Sequence, residues 1–434
     1  MSPAIIGILG IIVLLAVLFF LGIPVGFAMA IVGFCGFCLV VNVKAGLGML
    51  GTDLWSSFSS YGLTVIPLFI FMGQIAFHSG VNARLYDAAY KWVGHIRGGL
   101  AMATVLACTG FAAICGSNAA TAATMTTVAL PQMKKYNYNA KLSTGTIACG
   151  STLGVVIPPS VVLIVIGLYT GQSIAKLFYG GIGAGIVLTG LLMLTIYMLC
   201  LVRKQWGPVG PEVGLKDKFK ALPGACEMLL IFLLVMLGLY FGVFTPVEAG
   251  AAGAFFTVII ALVQRGLAWQ GFCAAVVETL RISCMVILIV AGANIFGRFL
   301  AVTRIPYDIA AWASGLPVPD AVIMMIIFGL YIIGGMVMDA LALLMITIPI
   351  FFPVAQQLGY DPVWFSVIIT VITTLGAVTP PVGATTYVVG GMAKDVPLGH
   401  VFKGVAYFLP AYIICIIVLM LFPSIITFLP NLLR

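Results

Sequence analysis

Apolar stretches of about 20 residues, each long enough to cross a bilayer core, recur along the whole chain. No polar stretch between them is long enough to fold as a separate soluble domain, and that pattern excludes most architectures. Of 434 residues, 62% are apolar and 7% charged, where a soluble domain carries about 25% charged residues. A chain so poor in charge cannot cover a water-facing surface. The expected fold is an all-α, polytopic membrane protein, because lipid admits helices that satisfy their own backbone.

The net charge of +8 does not point to nucleic acid. Lys134, Lys135 and Lys141 sit together in short loops, where the positive-inside rule places cytoplasmic charge. Cys35-Gly-Phe-Cys38 has redox or metal spacing, but no His, Asp or basic neighbour stands ready to activate a thiol. Gly46-Leu-Gly48-Met-Leu-Gly51 fits a dinucleotide pattern with no strand before it. The sequence has no Walker motif, His-Glu-x-x-His or plausible Ser-His-Asp set, so no enzymatic role is expected. The N-terminal run Ala4 to Leu21 lacks a basic leader and reads as one of two spans broken at Gly22-Ile-Pro24, not as a cleaved signal.

The chain repeats itself. Thr152-Leu-Gly-Val-Val-Ile-Pro-Pro159 returns as Thr374-Leu-Gly-Ala-Val-Thr-Pro-Pro381. Tyr86-Asp87 returns as Tyr307-Asp308, Pro24-Val25 as Pro246-Val247, and Gly116 aligns with Gly335, all at a separation of about 220 residues. The first repeat is expected over 1–202 and the second over 221–434, joined by a cytoplasmic linker loop, 203–220.

Loop charge orients the copies. A hairpin at about 98–135 is flanked by Arg97 and by Lys134, Lys135 and Lys141, so both its ends are cytoplasmic. Its limbs meet at Gly116-Ser-Asn-Ala, which reads as a re-entrant turn. The matching hairpin at about 317–354 turns at Gly334-Gly335 between Asp320 and Asp361, without Lys or Arg, and should open to the periplasm. The copies are therefore inverted, as in many secondary transporters.

Each hairpin is followed by a span broken at Pro-Pro, over 141–176 and 361–393. Successive prolines remove backbone donors and leave carbonyls free in mid-membrane. Such carbonyls, with nearby hydroxyl and amide oxygens, can replace the hydration shell of a small hard cation. Two candidate sodium sites follow: Ser117, Asn118, Gly154, Val156 and Pro158 in the first copy, and Gly335, Gly376, Thr379 and Pro380 in the second. The hairpins' second limbs present positive helix ends that suit an anion.

Ionisable residues inside spans are rare and point to function. Asp339 follows the second hairpin turn, and Arg298 could reach the cavity to grip a carboxylate. With Ser160 they make the candidate substrate set. Arg304 reads as interfacial, and Glu248 and Glu278 as helix-end residues. All three histidines fall near span ends, which argues against a proton relay and for sodium, two or more ions, as the coupling ion.

The segments Gly116-Ser-Asn-Ala-Ala-Thr, Gly154-Val-Val-Ile-Pro-Pro and Gly376-Ala-Val-Thr-Pro-Pro-Val-Gly resemble the large membrane (M) subunit of tripartite ATP-independent periplasmic (TRAP) transporters. The resemblance covers essentially the whole chain. It implies sodium-coupled import of a small organic anion (carboxylate) across the bacterial inner membrane, with a small four-helix membrane subunit, expected as a separate chain, and a periplasmic substrate-binding protein as partners. It also implies an elevator mechanism, in which the hairpins and broken spans move against a scaffold of the first two spans of each copy and 177–202. A carboxylate at Asp339 would repel a second substrate charge, so a monoanionic sugar acid such as sialic acid is favoured over a C4-dicarboxylate. A stand-alone anion carrier or channel is the other class to test.

Overall fold

The computed structural model describes residues 2–210 and 214–433. Residues 1, 211–213 and 434, which take in part of the expected linker, lie outside the described residues. Among those described, every element longer than an isolated bridge is helical. Among the described residues nine helices are long and apolar enough to cross a membrane, and shorter apolar helices lie between them. The all-α polytopic fold is as expected.

The chain enters through Pro3–Ala16, capped by Ser2, and passes through a π-helical turn, Val17–Leu21, to a left-handed Gly22 (φ 61°). Proline at 24 then starts Val25–Val40. That helix packs closely on the 35-residue helix Trp269–Thr303, with backbone against backbone where Gly26 meets Gly292. Small residues allow this approach, and it replaces the hydrophobic driving force that lipid cannot supply.

The linker differs from expectation at its end. A helix begins at Leu215 and runs to Tyr240, so Lys216, Lys218 and Lys220 lie on its first turns, not in a loop. Leu215 and Phe219 alternate with these lysines at helical spacing. Phe219 also packs edge-on to Trp92, ring centroids 5.9 Å apart, on the amphipathic helix Val81–Val93. Arg84 of that helix pairs with Glu227 at 3.1 Å, a second tie to the same long helix.

The first hairpin is Gly99–Cys115 and Asn118–Lys135, and the second is Asp320–Gly335 and Ala340–Gln357. The first broken span is Ala140–Ser151, Leu153–Val156 and Val161–Thr170; the second is Pro362–Val378 and Ala384–Met392. The two spans lie antiparallel. Gln172, just past the end of the first, donates to the Ser366 hydroxyl at the start of the second (2.7 Å). At the other end Gly145 lies on the backbone of Gly404, where a methyl group would come within 2.6 Å of the Gly404 carbonyl carbon. Lys134 of the first hairpin pairs with Asp395, just beyond the second broken span, at 2.6 Å. Opposite orientation of the repeats is thereby built into packing, with the segment Ala140–Thr170 buried over most of its length.

Sidedness can be tested directly. Single cysteines replacing Lys134 and Asp320, in a background without the native thiols, should react with an impermeant maleimide from opposite faces: Lys134→Cys from the cytoplasm and Asp320→Cys from the periplasm. Labelling of both from one face would break the inverted arrangement.

Candidate functional site

Both hairpin turns meet the first broken span at one cavity of ≈ 590 Å³. Ser117, Asn118 and Asp339 line it, with Val155, Val161 and Val162 of the broken span beneath them. The facing wall is Gln74 and His78 from Val65–His78, and Glu278 and Met285 from the long helix Trp269–Thr303.

Each turn is built to start a helix at the cavity. Gly116 adopts a left-handed conformation (φ 63°) and reverses the chain, and a side chain there would meet the Pro159 carbonyl at 2.7 Å. Ser117 is the N-cap of the next limb. Its hydroxyl accepts from the Ala120 N–H at 3.5 Å, and its carbonyl accepts from the N–H and hydroxyl of Thr121 at 3.1 and 2.8 Å. Asp339 caps the matching limb by accepting from the Leu341 N–H at 3.0 Å, and it stands exposed in the cavity. Two helix N-termini of 18 residues each therefore converge on one space. Their unpaired N–H groups and dipoles favour an anion.

The Asn118 side-chain oxygen is buried and has no hydrogen-bond partner. An orphaned amide oxygen is costly unless something fills its coordination. Gly154 packs on the residue before Asn118: a methyl group on Gly154 would sit 2.7 Å from the Ser117 carbonyl oxygen. Ser117, Asn118 and Gly154 thus come together in a nest of oxygens suited to a small hard cation. Val156 and Pro158 do not join them. The Val156 carbonyl is directed at Gly181 of the helix Ile174–Val202, and the Pro158 ring packs at the same place. The carbonyl that faces the hairpin turn is that of Pro159, one residue further on, because the chain rotates through the break.

In the second copy Gly335 and Gly376 touch backbone to backbone; a methyl on Gly376 would lie 2.6 Å from the Gly335 Cα. The Thr379 hydroxyl donates to the Leu375 carbonyl at 2.5 Å, and the Met336 carbonyl accepts from the N–H groups of Val382 and Gly383 at 3.1 and 3.2 Å. These bonds lock the turn to the segment after Pro380-Pro381. Among the described residues this set holds no orphaned buried side-chain oxygen, so it fits a cation less closely than the first. The two breaks also differ in exposure. Both Pro-Pro bonds are cis, yet Pro158 and Pro159 are buried whereas Pro380 and Pro381 are exposed.

Two of the three substrate candidates stand elsewhere. Ser160 is fully buried: its hydroxyl donates to the Val155 carbonyl at 2.6 Å and accepts from the Leu163 N–H at 3.3 Å. It bridges the broken helix ends and does not line the cavity. Arg298 lies on the same long helix as the cavity residue Val286 but 12 positions further on, about 18 Å along a helix rising 1.5 Å per residue. There it pairs with Asp53, Nε to Oδ2 at 3.4 Å, and lines different cavities. Only Asp339 of that set faces the hairpin turns.

Glu278 is a further correction. It sits ten residues into the 35-residue helix, not at its end, and faces the cavity. The helix exceeds a bilayer crossing, so its first turns extend past the apolar run that marks the span. The signal was present: Ala274, Glu278, Ile282 and Val286 recur every four residues and share one face. Glu248, by contrast, is a helix-end residue, in a capping box with Thr245 (2.8 and 3.3 Å).

Comparison with known proteins bears on this geometry. Residues 12–425 match the family described as "Tripartite ATP-independent periplasmic transporter, DctM component". The chain is 34% identical over 383 residues to a C4-dicarboxylate TRAP transporter large permease protein of Pseudomonas aeruginosa, covering 88% of this chain and 89% of that protein. It is 29% identical over 416 residues to a sialic acid TRAP transporter large permease protein of Vibrio cholerae, covering 96% of each. In fold it is similar to the Alcanivorax borkumensis YdaH transporter, with a TM-score of 0.65 at 15% identity, covering 98% of this chain and all of that one. The match over nearly the whole length, together with two hairpin turns meeting at one cavity, shows that this inner-membrane protein belongs to the large-permease, or DctM, family of TRAP transporters.

Proposed function

We propose that the chain is the membrane subunit that moves a small organic anion inward together with sodium. The observation that carries this reading is the meeting of two helix N-termini and the orphaned Asn118 oxygen in a single cavity. The N-termini supply the partial positive charge an anion needs, and the oxygen nest beside them takes the cation whose charge completes its neutralisation. The two broken spans, tied to each other at Gln172–Ser366, and the hairpins seated on them at Gly154–Ser117 and Gly376–Gly335 move as one body in an elevator-type step. A small four-helix membrane subunit and a periplasmic binding protein complete the transporter.

For substrate we favour a monoanionic sugar acid such as sialic acid. Asp339 projects into the cavity, so a second carboxylate beside it would meet like charge. C4-dicarboxylates are the second reading, supported by the name of the Pseudomonas aeruginosa relative. The experiment is uptake of labelled N-acetylneuraminate and succinate into vesicles holding the chain, its small subunit and a cognate binding protein. Uptake should need an inward sodium gradient and should saturate. Transport that persists when sodium is replaced by potassium under a proton gradient would sink sodium coupling, and conductance without any gradient would favour a channel. The chain reconstituted without its partners should transport free substrate at no useful rate.

A further inference from the structure

We propose that Arg298, with Ser56, Asn294 and Tyr169, forms a second anion station that receives the carboxylate of a small organic acid apart from the hairpin cavity. The inference deepens the transport reading and takes its substrate class from it.

Two adjoining cavities of ≈ 520 and ≈ 390 Å³ share Asp53 and Arg298. The smaller is lined by Ser56, Tyr169, Asn294 and Gly297 as well, a hydroxyl and amide lining in a chain otherwise dominated by apolar walls. Asp53 is nearly buried, its side chain 8% exposed, while the Arg298 side chain is 66% exposed. Asp53 approaches the Nε edge, at 3.4 Å, and its Oδ2 makes no hydrogen bond. Among the described residues nothing bonds to the two terminal nitrogens of Arg298, and the Asn294 amide, which donates to the Ser57 hydroxyl at 3.0 Å, keeps its second N–H for a ligand. The carboxylate thus aims the guanidinium, and the fork suited to bidentate carboxylate binding faces the cavity.

A purely structural pair explains this poorly. An ion pair with one partner mostly in solvent contributes little to stability. Other arginines have found apolar seats: Arg304 lies over the Tyr307 ring at 5.3 Å, and Arg203 over Trp206 and Tyr407 at 4.4 and 5.0 Å. Position adds to the case. Tyr169 is seven residues beyond the cavity residue Val162, about 10 Å along the broken span. Arg298 is displaced in the same sense along the long helix. The station is therefore split between the broken-span body and the helices around it. Gly297, lacking a side chain, leaves room for the Tyr169 hydroxyl to close against it. Relative motion of the two bodies would open and shut this station as well as the hairpin cavity.

The test is modification of Arg298 by phenylglyoxal in the intact chain in nanodiscs, read by mass spectrometry, with succinate or N-acetylneuraminate raised into the millimolar range. One of these anions should slow modification about tenfold, the occupancy effect of a ligand at ten times its dissociation constant. Protection should be equal in Asn118→Ala, whose lesion is in the other cavity. Loss of protection in Asn118→Ala would place the anion's action at the hairpins and overturn the proposal, as would no protection by either anion. In vesicles, Arg298→Gln should raise the KM for uptake about tenfold with Vmax unchanged, and Arg298→Lys should recover part of it, since charge returns without the planar fork. A fall in Vmax at constant KM would make Arg298 a structural residue. Labelling needs no transport, so failure of sodium-driven uptake would count against the proposed function without deciding this one.

Discussion

Asn118→Ala is expected to raise the sodium concentration needed for half-maximal uptake about tenfold or more, with little loss of folded protein. Its amide oxygen is buried and unpartnered, so removing it takes no hydrogen bond from the fold and relieves a desolvated group. Thermal stability without sodium should stay level or rise. With sodium the sign reverses: a hydrogen-bond-strength interaction with a charged partner contributes about 1.5–3 kcal/mol, and 1.4 kcal/mol corresponds to a tenfold change in affinity. The sodium-induced rise in melting temperature should therefore shrink in the variant. Thr127→Ala, on an exposed turn of the same helix with its hydroxyl bonded to Thr124, is the control and should behave as wild type. Unchanged sodium dependence in Asn118→Ala would remove the first oxygen nest from consideration.

Gly376→Val should reduce uptake about 10–100-fold in protein that still inserts. The new Cβ would lie 2.6 Å from Gly335 backbone atoms and 2.9 Å from the Ile332 carbonyl. Both neighbours are backbone, so no rotamer change relieves the clash, and overpacking of this kind costs about 1–3 kcal/mol. The nearest relief is to push the second hairpin turn away from the break, taking Asp339 out of line with Ser117. Gly391→Ala, where nothing lies within 4 Å, should be silent and separates this effect from a general intolerance of added bulk. Wild-type uptake by Gly376→Val would mean that the second turn need not hold its place for transport.

Much of this architecture was legible because lipid enforces it. Apolar runs give spans, basic loops give sidedness, and the returning Leu-Gly-x-Val-x-Pro-Pro segment gives the repeat. Turn chemistry placed Ser117 and Asp339 close to helix starts, since Gly followed by Ser-Asn, or a lone Asp before an apolar run, is how a helix begins. What spacing could not supply is rotation about a break. The sequence marks Gly154 to Pro159 as irregular, but which carbonyl turns to the hairpin and which to Gly181 depends on backbone angles through two prolines. Nor does it say how far a helix runs beyond the membrane. That is why Glu278 looked terminal and Arg298 looked close: both lie on one 35-residue helix, near opposite ends of its span. Ser160 misled for a related reason, since a hydroxyl after Pro-Pro can serve a ligand or cap the next helix, and here it caps.

The antiparallel seating of the broken spans has a consequence for how the protein is made. Ala140–Thr170 is almost wholly enclosed, and much of its enclosure comes from the second repeat: Gly404 on Gly145, Ser366 at Gln172, and Tyr412, whose hydroxyl meets that of Thr152 at 2.7 Å and donates to the Cys149 carbonyl at 3.0 Å. Those partners leave the ribosome about 190–260 residues later, which at about 5–20 residues per second is a wait of roughly 10–50 s. Through that interval a segment carrying Ser143, Thr144, Thr146, Ser151 and Thr152, all buried in the finished fold, lacks these partners. Lipid is a poor substitute for such a surface. The first half of the gene product on its own is a membrane fragment with an unfilled socket, a natural client for insertase or protease until the second half arrives.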